Sequence, residues 1–293
     1  MEFNKITIIG GGTLGSQIAY MCSLHGKDTT IYGRSEGSLE RAQKRVARWV
    51  KAVEKDIHVP AAEAEKAAKN LKYTTNLDEA IKGQDLVIEA LPEDPKIKIE
   101  FYKKFAKIAD PDTILATNTS TLLPSTFAED TGRPDKYIAY HFANNIWINN
   151  TAEIMPQAKT NPALTAAFEK LSREIGMVPI KINKEQPGYV LNSLLIPFLT
   201  AALKLWADGV SEPAAIDKTW IIATSAPVGP FSIMDTIGLR TMYEITSMDK
   251  DPLVQKAAKM LKEKLDKGEL GTESGQGFYS YPNPAFLDKD FLK

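Results

Sequence analysis

The chain has 293 residues, 43% apolar and 25% charged, an ordinary globular composition at a length that fits one large or two average domains. Lysine and arginine number 36 against 37 acids, a formal charge of −1, so no electrostatic footprint for nucleic acid or an anionic membrane surface is present. One cysteine (Cys22) excludes an internal disulfide, three scattered histidines (His25, His58, His141) offer no usual zinc set, and no apolar run approaches the ~20 residues of a membrane span.

The first residues run straight into strand-like sequence without a signal-peptide pattern, and a cytoplasmic protein is expected. Residues 6–9 read as a buried first strand before a glycine cluster. A helix follows over residues 13–25, with Leu14, Ile18 and Cys22 four apart and Gly26 at its stop. Residues 29–32 read as a second strand. A helical insertion at about 36–70 comes next, with Leu39, Ala42, Val46, Trp49, Val50 and Val53 as its stripe and Pro60 as its break. Residues 85–91, 113–117 and 137–142 are further strands. The alternation predicts an α/β fold, a doubly wound, mostly parallel sheet over residues 1–185.

Past Lys181 and Pro187 the strands stop. Leu191, Leu194, Leu195, Phe198, Leu199 and Ala202 give a helix a wide apolar face, and Pro213, Pro227, Pro230 and Gly238 separate further helices. Residues 186–293 are expected as a helical second domain. That apolar face suits either core packing or a dimer contact.

Gly10-Gly11-Gly12-Thr13-Leu14-Gly15 stands between the first strand and helix, a G-x-G-x-x-G turn in the setting that gives it meaning. Gly10 permits the tight turn, Gly12 lets a pyrophosphate approach the backbone, and Gly15 lets helix and strand pack closely. Thr13 and Leu14 open the helix whose N-terminus favours an anion. A dinucleotide is the expected ligand. The acid that usually follows the second strand is missing, and the sequence there is Tyr32-Gly33-Arg34-Ser35. A carboxylate would repel a 2′-phosphate, whereas Arg34 can pair with it in bidentate fashion. NADP(H) is therefore expected over NAD(H), with Gly33, Arg34 and Ser35 at the phosphate; Glu36 swinging back to a plain ribose is the alternative. Glu93 and Lys98 follow another strand end at the same crevice and are expected to border the nicotinamide-side ribose.

Asn118-Thr119-Ser120-Thr121 follows a strand, His141-Phe142-Ala143-Asn144 ends one, and Glu153 comes twelve residues after His141. With Gly188-Tyr189-Val190-Leu191-Asn192, Ala226-Pro227-Val228-Gly229-Pro230-Phe231 and Gly275-Gln276-Gly277-Phe278-Tyr279, the chain resembles the L-3-hydroxyacyl-CoA dehydrogenase family, including bacterial 3-hydroxybutyryl-CoA dehydrogenases, over nearly its whole length. The resemblance implies a Rossmann-like NAD(P) domain and a helical domain that closes over substrate and forms a homodimer. It also implies roles: His141 as general acid/base, Glu153 as its orienting partner, Ser120 and Asn192 on the substrate oxygen, and Asn118 among the cofactor contacts. Histidine suits the task because its ordinary pKa of ~6.5 lies near working pH. A carboxylate on its other nitrogen fixes the tautomer and stabilises imidazolium.

The implied reaction interconverts (S)-3-hydroxyacyl-CoA and 3-oxoacyl-CoA with short chains. A dehydrogenase of a free hydroxy acid, gulonate- or carnitine-like, is the alternative enzyme, and a non-catalytic NADP-binding sensor or structural protein the alternative from another class. Three positions depart from the family's pattern: Asn145 for its proline, Ser193 for its arginine and Gln276 for its lysine. They bear on acyl preference and CoA dependence. Arg41, Lys44, Arg45, Arg48, Lys51 and Lys55 make the inserted helix cationic, a face suited to CoA phosphates or simply to solvent.

Overall fold

A computed structural model describes residues 1–293 and divides into two compact units, Met1–Val190 and Leu191–Lys293. The first unit contains β1 (Lys5–Ile9), α1 (Thr13–Leu24), β2 (Asp28–Tyr32), α2 (Glu36–Asp56), α3 (Ala61–Asn70), β3 (Lys72–Thr74), α4 (Leu77–Ile81) and β4 (Leu86–Glu89). It continues with α5 (Pro95–Ile108), β5 (Ile114–Thr117), β6 (Tyr137–Phe142), β7 (Thr151–Met155), α6 (Pro162–Glu174) and β8 (Val178–Lys181). One eight-stranded sheet runs β3-β2-β1-β4-β5-β6-β7-β8, and every neighbouring pair is parallel except β6 with β7. The order 3-2-1-4-5-6 is that of a dinucleotide-binding sheet, whose ligands lie beyond the carboxyl ends of its strands.

The strands read as nearly unbroken apolar runs because both faces are covered. Period-two alternation divides them: Leu86, Ile88, Ile114, Ala116, Ile138 and Tyr140 enter one core, whereas Val87, Leu115 and Tyr137 enter the other with Phe101, Tyr102 and Phe105 of α5. α2 buries Leu39, Ala42, Val46 and Val53 as its stripe predicts. Its start is fixed by a capping box, in which the Ser35 side chain accepts from the Ser38 N–H.

Three strands were not foreseen. β3 is three residues long, β8 carries Pro179 on the sheet edge, and β7 has its apolar pattern interrupted by buried Glu153. β4 also ends at Glu89, two residues before the expected end, because Ala90 and Leu91 already turn beside the glycine loop.

The second unit is helical: α7 (Leu191–Ala207), α8 (Pro213–Thr224), α9 (Pro230–Ile237), α10 (Leu239–Ser247) and α11 (Pro252–Asp266). Leu199, Leu203, Phe231, Met234, Met242 and Leu261 form its core. Two buried aspartates organise it. Asp217 accepts from the Phe231 and Ser232 N–H groups that open α9 and from the Tyr279 hydroxyl. Asp235 accepts from the Phe278 and Tyr279 N–H groups and the Tyr281 hydroxyl. Burial pushes both carboxyls above the usual aspartate range against the pull of these donors. A Cβ at Gly277 would lie 2.0 Å from Asp235 Oδ1, and one at Gly229 2.4 Å from Asp217 Cγ, so the glycines of both late motifs make room for these carboxylates.

Candidate active site

β6 and β7 run antiparallel with His141 directly opposite Glu153, which puts both side chains on one face of the sheet. His141 Nδ1 lies 2.9 Å from Glu153 Oε2, and both side chains are almost wholly buried. The second carboxylate oxygen, Oε1, accepts from the Val190 N–H at 2.9 Å. Tyr189 stacks on the imidazole with ring centroids 4.5 Å apart at 15°, and its hydroxyl donates to the Thr119 carbonyl at 2.9 Å. Its φ of 55° is left-handed. Tyr189 therefore joins the His141 ring to the peptide just before Ser120, a part that reading the sequence did not assign.

Ser120 belongs to the loop after β5, and Glu93 gathers that loop. One carboxylate oxygen, Oε1, accepts from the Ser120 and Thr121 N–H groups, both at 2.9 Å, and from the Thr119 hydroxyl at 2.5 Å. Burial alone would raise the Glu93 pKa, but the Thr119 hydroxyl, the charge of Lys98 and the Thr121 donors hold it below the usual carboxylate range. Glu93 Oε2 lies 3.4 Å from Lys98 Nζ. Lys98 itself is buried and bonded to both oxygens of Glu89 at 2.8 and 3.0 Å. Glu89 also accepts from the hydroxyls of Tyr102 and Thr117, so this network underlies the crevice instead of facing it. Asn118 Oδ1 accepts from the Phe142 N–H at 3.2 Å and holds the strand end beside His141. Asn192 lies in the second unit, in the first turn of α7.

The glycine turn fits a dinucleotide. Gly10 has φ 111°, and a Cβ there would meet the Ala90 carbonyl oxygen at 2.6 Å. At Gly15 a Cβ would meet the Gly10 carbonyl oxygen at 2.0 Å, whereas at Gly12 it would meet nothing within 4 Å. Gly12 is the N-cap of α1 and makes no side-chain cap, so open space faces the start of Thr13 and Leu14, where orphan N–H groups bind anions. Gly11 has a role that the sequence reading missed: its Cβ would meet Ala42 of α2 at 2.6 Å, so the insertion packs against the turn itself. Arg45 of α2 donates to the Gly11 carbonyl, which commits it to the turn. The other five cations of that helix are exposed.

At the end of β2, Arg34 is exposed and Gly33 makes room for Ser38. The Ser35 hydroxyl is already engaged in capping α2, and Glu36 accepts from the Thr75 hydroxyl at 3.3 Å. No helix is long and apolar enough to cross a membrane.

Models of known families match the chain twice: the 3-hydroxyacyl-CoA dehydrogenase NAD-binding domain over residues 5–186, and the C-terminal domain of the same enzymes over residues 188–281. A 3-hydroxybutyryl-CoA dehydrogenase of Clostridioides difficile is 32% identical, over 94% of this chain and 99% of its own. Among solved structures, a diketoreductase described as acting on dicarbonyl compounds superposes with a TM-score of 0.91 at 45% identity, over 96% of this chain and all of its own. The (S)-3-hydroxybutyryl-CoA dehydrogenase of Ralstonia eutropha superposes with 0.80 at 29% identity, with coverage of 96% and 100%. With a nicotinamide-cofactor sheet, an imidazole–carboxylate pair and two family models that together span nearly the whole sequence, the chain belongs to the 3-hydroxyacyl-CoA dehydrogenase family, oxidoreductases that act on a CH–OH group.

Proposed function

We propose that the protein interconverts (S)-3-hydroxyacyl-CoA and 3-oxoacyl-CoA, most readily with short acyl chains, and that His141 is its general acid/base. The His141–Glu153 pair at 2.9 Å carries this reading. With Nδ1–H donated to Glu153, Nε2 keeps its lone pair, takes the hydroxyl proton in oxidation and returns it to the ketone oxygen in reduction. Glu153 holds the tautomer and offsets the charge of imidazolium as it forms. Ser120, on a loop fixed by Glu93, and Asn192 donate to the substrate oxygen and orient the reacting carbon. The bound nicotinamide supplies or accepts the hydride.

Gly12, Thr13 and Leu14 meet the pyrophosphate, on a turn that Gly10 and Gly15 shape for the cofactor. The Asn118 amide and Glu93 take the nicotinamide-side ribose, and Lys98 acts through Glu93, since its own ammonium is enclosed. NADP(H) is the favoured cofactor. Arg34 is exposed, the usual acid is absent, Glu36 is engaged with Thr75, and Ser35 opens a helix whose positive end suits a 2′-phosphate. The exposed cations of α2 meet the phosphates of CoA, and the helical unit forms a homodimer.

A second reading is supported by the diketoreductase at 45% identity: the substrate is a free dicarbonyl compound or hydroxy acid without CoA. One set of initial rates separates the readings, with acetoacetyl-CoA and ethyl acetoacetate against NADPH and NADH. The CoA reading expects acetoacetyl-CoA and NADPH to give the highest kcat/KM. His141→Ala is expected to bind NADPH as wild type does and to lose ~10²–10⁴-fold in kcat. Undiminished turnover in that variant would remove the mechanism.

A further inference from the structure

Between His141 and Glu153 the chain makes a loop, residues 143–150, at the carboxyl end of β6, the sheet edge on which ligands are bound. Asn145 is its pivot. Its φ is +57°, in the left-handed region that asparagine tolerates and proline, locked near −65°, cannot enter. Its N–H donates to Gln17 Oε1 at 2.8 Å, and the Ile146 N–H reaches the same oxygen at 3.3 Å. Gln17 is buried in α1, the helix whose N-terminus opens the dinucleotide turn. The Asn145 carbonyl in turn accepts from the Ile148 and Asn149 N–H groups. Beyond the pivot, Trp147 donates to Asp56 at the end of α2 and packs on Trp49, which donates to Ser16 of α1. Gln17 thus satisfies two successive backbone donors of the same turn.

Resting on the acyl-CoA reading above, we propose that Asn145 is a specificity-determining residue. Its left-handed backbone and its N–H, held by Gln17, set the course of loop 143–150 and so the shape of the wall that the acyl part of the substrate meets beside His141. Asn144 and Ile148, both exposed, are the side chains this path presents along the rim. Proline at 145 removes the conformation and the donor together. Glycine keeps both.

The test is the ratio of kcat/KM for acetoacetyl-CoA to kcat/KM for 3-oxohexanoyl-CoA, two substrates that differ only in the acyl chain, a ratio that a general loss of activity leaves unchanged. Asn145→Pro is expected to move the ratio by about tenfold or more, the size of change that pocket shape commands, with NADPH affinity within about threefold of wild type. Asn145→Gly is expected to leave it within about twofold. Gln17→Ala, which removes the acceptor and leaves the loop's sequence intact, is expected to move it in the same direction by about threefold or more, and it decides the matter if the proline variant does not fold. An unmoved ratio in a folded Asn145→Pro protein, or in Gln17→Ala where the proline variant does not fold, overturns the proposal, as does an equal shift in Asn145→Gly. Wild-type protein inactive on both substrates overturns the acyl-CoA reading itself, and the proposal with it.

Discussion

Gly12 and Gly15 separate two meanings of a motif glycine, because the space around them differs. A methyl group at Gly15 runs into the backbone oxygen of Gly10, 2.0 Å from an ideal Cβ. Neither partner is a flexible side chain, so α1 must move, and overpacking of this kind costs about 1–3 kcal/mol. At Gly12 the methyl meets no protein atom within 4 Å; the expected cost is that of a poorer N-cap, about 1 kcal/mol or less. Gly12→Ala should thus unfold nearly as wild type does and yet bind NADPH at least about tenfold more weakly, since its methyl would stand in the proposed approach of the pyrophosphate. Gly15→Ala should lose both stability and binding. Calorimetry and fluorescence titration, taken together, check the contrast. Glu93 supports a pH argument. Its pKa is lowered in the folded protein, so its contribution is complete above the ordinary glutamate value of ~4.3 and is lost as pH falls through the lower folded value. Glu93→Gln should therefore be less stable than wild type near neutrality, with the gap in melting temperature closing below about pH 4. A gap that persists unchanged in acid would mean that the ionised carboxylate is not what holds the Ser120 loop.

Between β4 and α5 the same economy of charge holds two elements together. Glu89 closes the strand, Lys98 stands one turn into the helix, and neither side chain reaches solvent. Replacing one partner strands the other, a loss of about 3–5 kcal/mol, whereas replacing both by neutral groups restores most of it. Lys98→Met should accordingly be far less stable than the double variant Glu89→Gln, Lys98→Met, as denaturant titration will measure. Legibility differs from element to element for related reasons. The glycine turn, α1 and the apolar stripe of α2 were readable because local spacing alone dictates them. β7 was not, because the residue that interrupts its apolar pattern is Glu153, buried against His141. The pairing of these two residues follows from antiparallel register, which no local signal encodes, and only resemblance to a family pointed to it. The roles of Tyr189, Gln17 and Gly11 are not legible for the opposite reason: each is an ordinary residue whose work is done across long sequence separations, toward Thr119, Asn145 and Ala42.

At the scale of the whole molecule, the helical unit leaves apolar side chains exposed at its surface. On α7, Leu194 is 70% exposed and Phe198, one turn later, is only partly buried. Phe198 packs on Trp220 of α8 with ring centroids 4.5 Å apart, and Trp220 is itself exposed. Leu194, Phe198 and Trp220 therefore form one patch across two helices, since residues four apart share a helix face. Patches of this kind on a folded domain mark contacts with other chains, and an isologous dimer buries the same patch on both copies. A charge at Leu194 distinguishes this from an idle surface. In a monomer, Leu194→Glu changes an exposed side chain and should shift stability by no more than about 0.5 kcal/mol. In a dimer that buries this patch it places an unpaired carboxylate from each copy in the interface, at a desolvation cost of several kcal/mol per charge. Sedimentation equilibrium should then show wild type at twice the chain mass and Leu194→Glu at or near the single mass, with a melting temperature that no longer rises with protein concentration. Wild type sedimenting as a monomer would remove the dimer, and an equally dimeric variant would move the contact away from this patch.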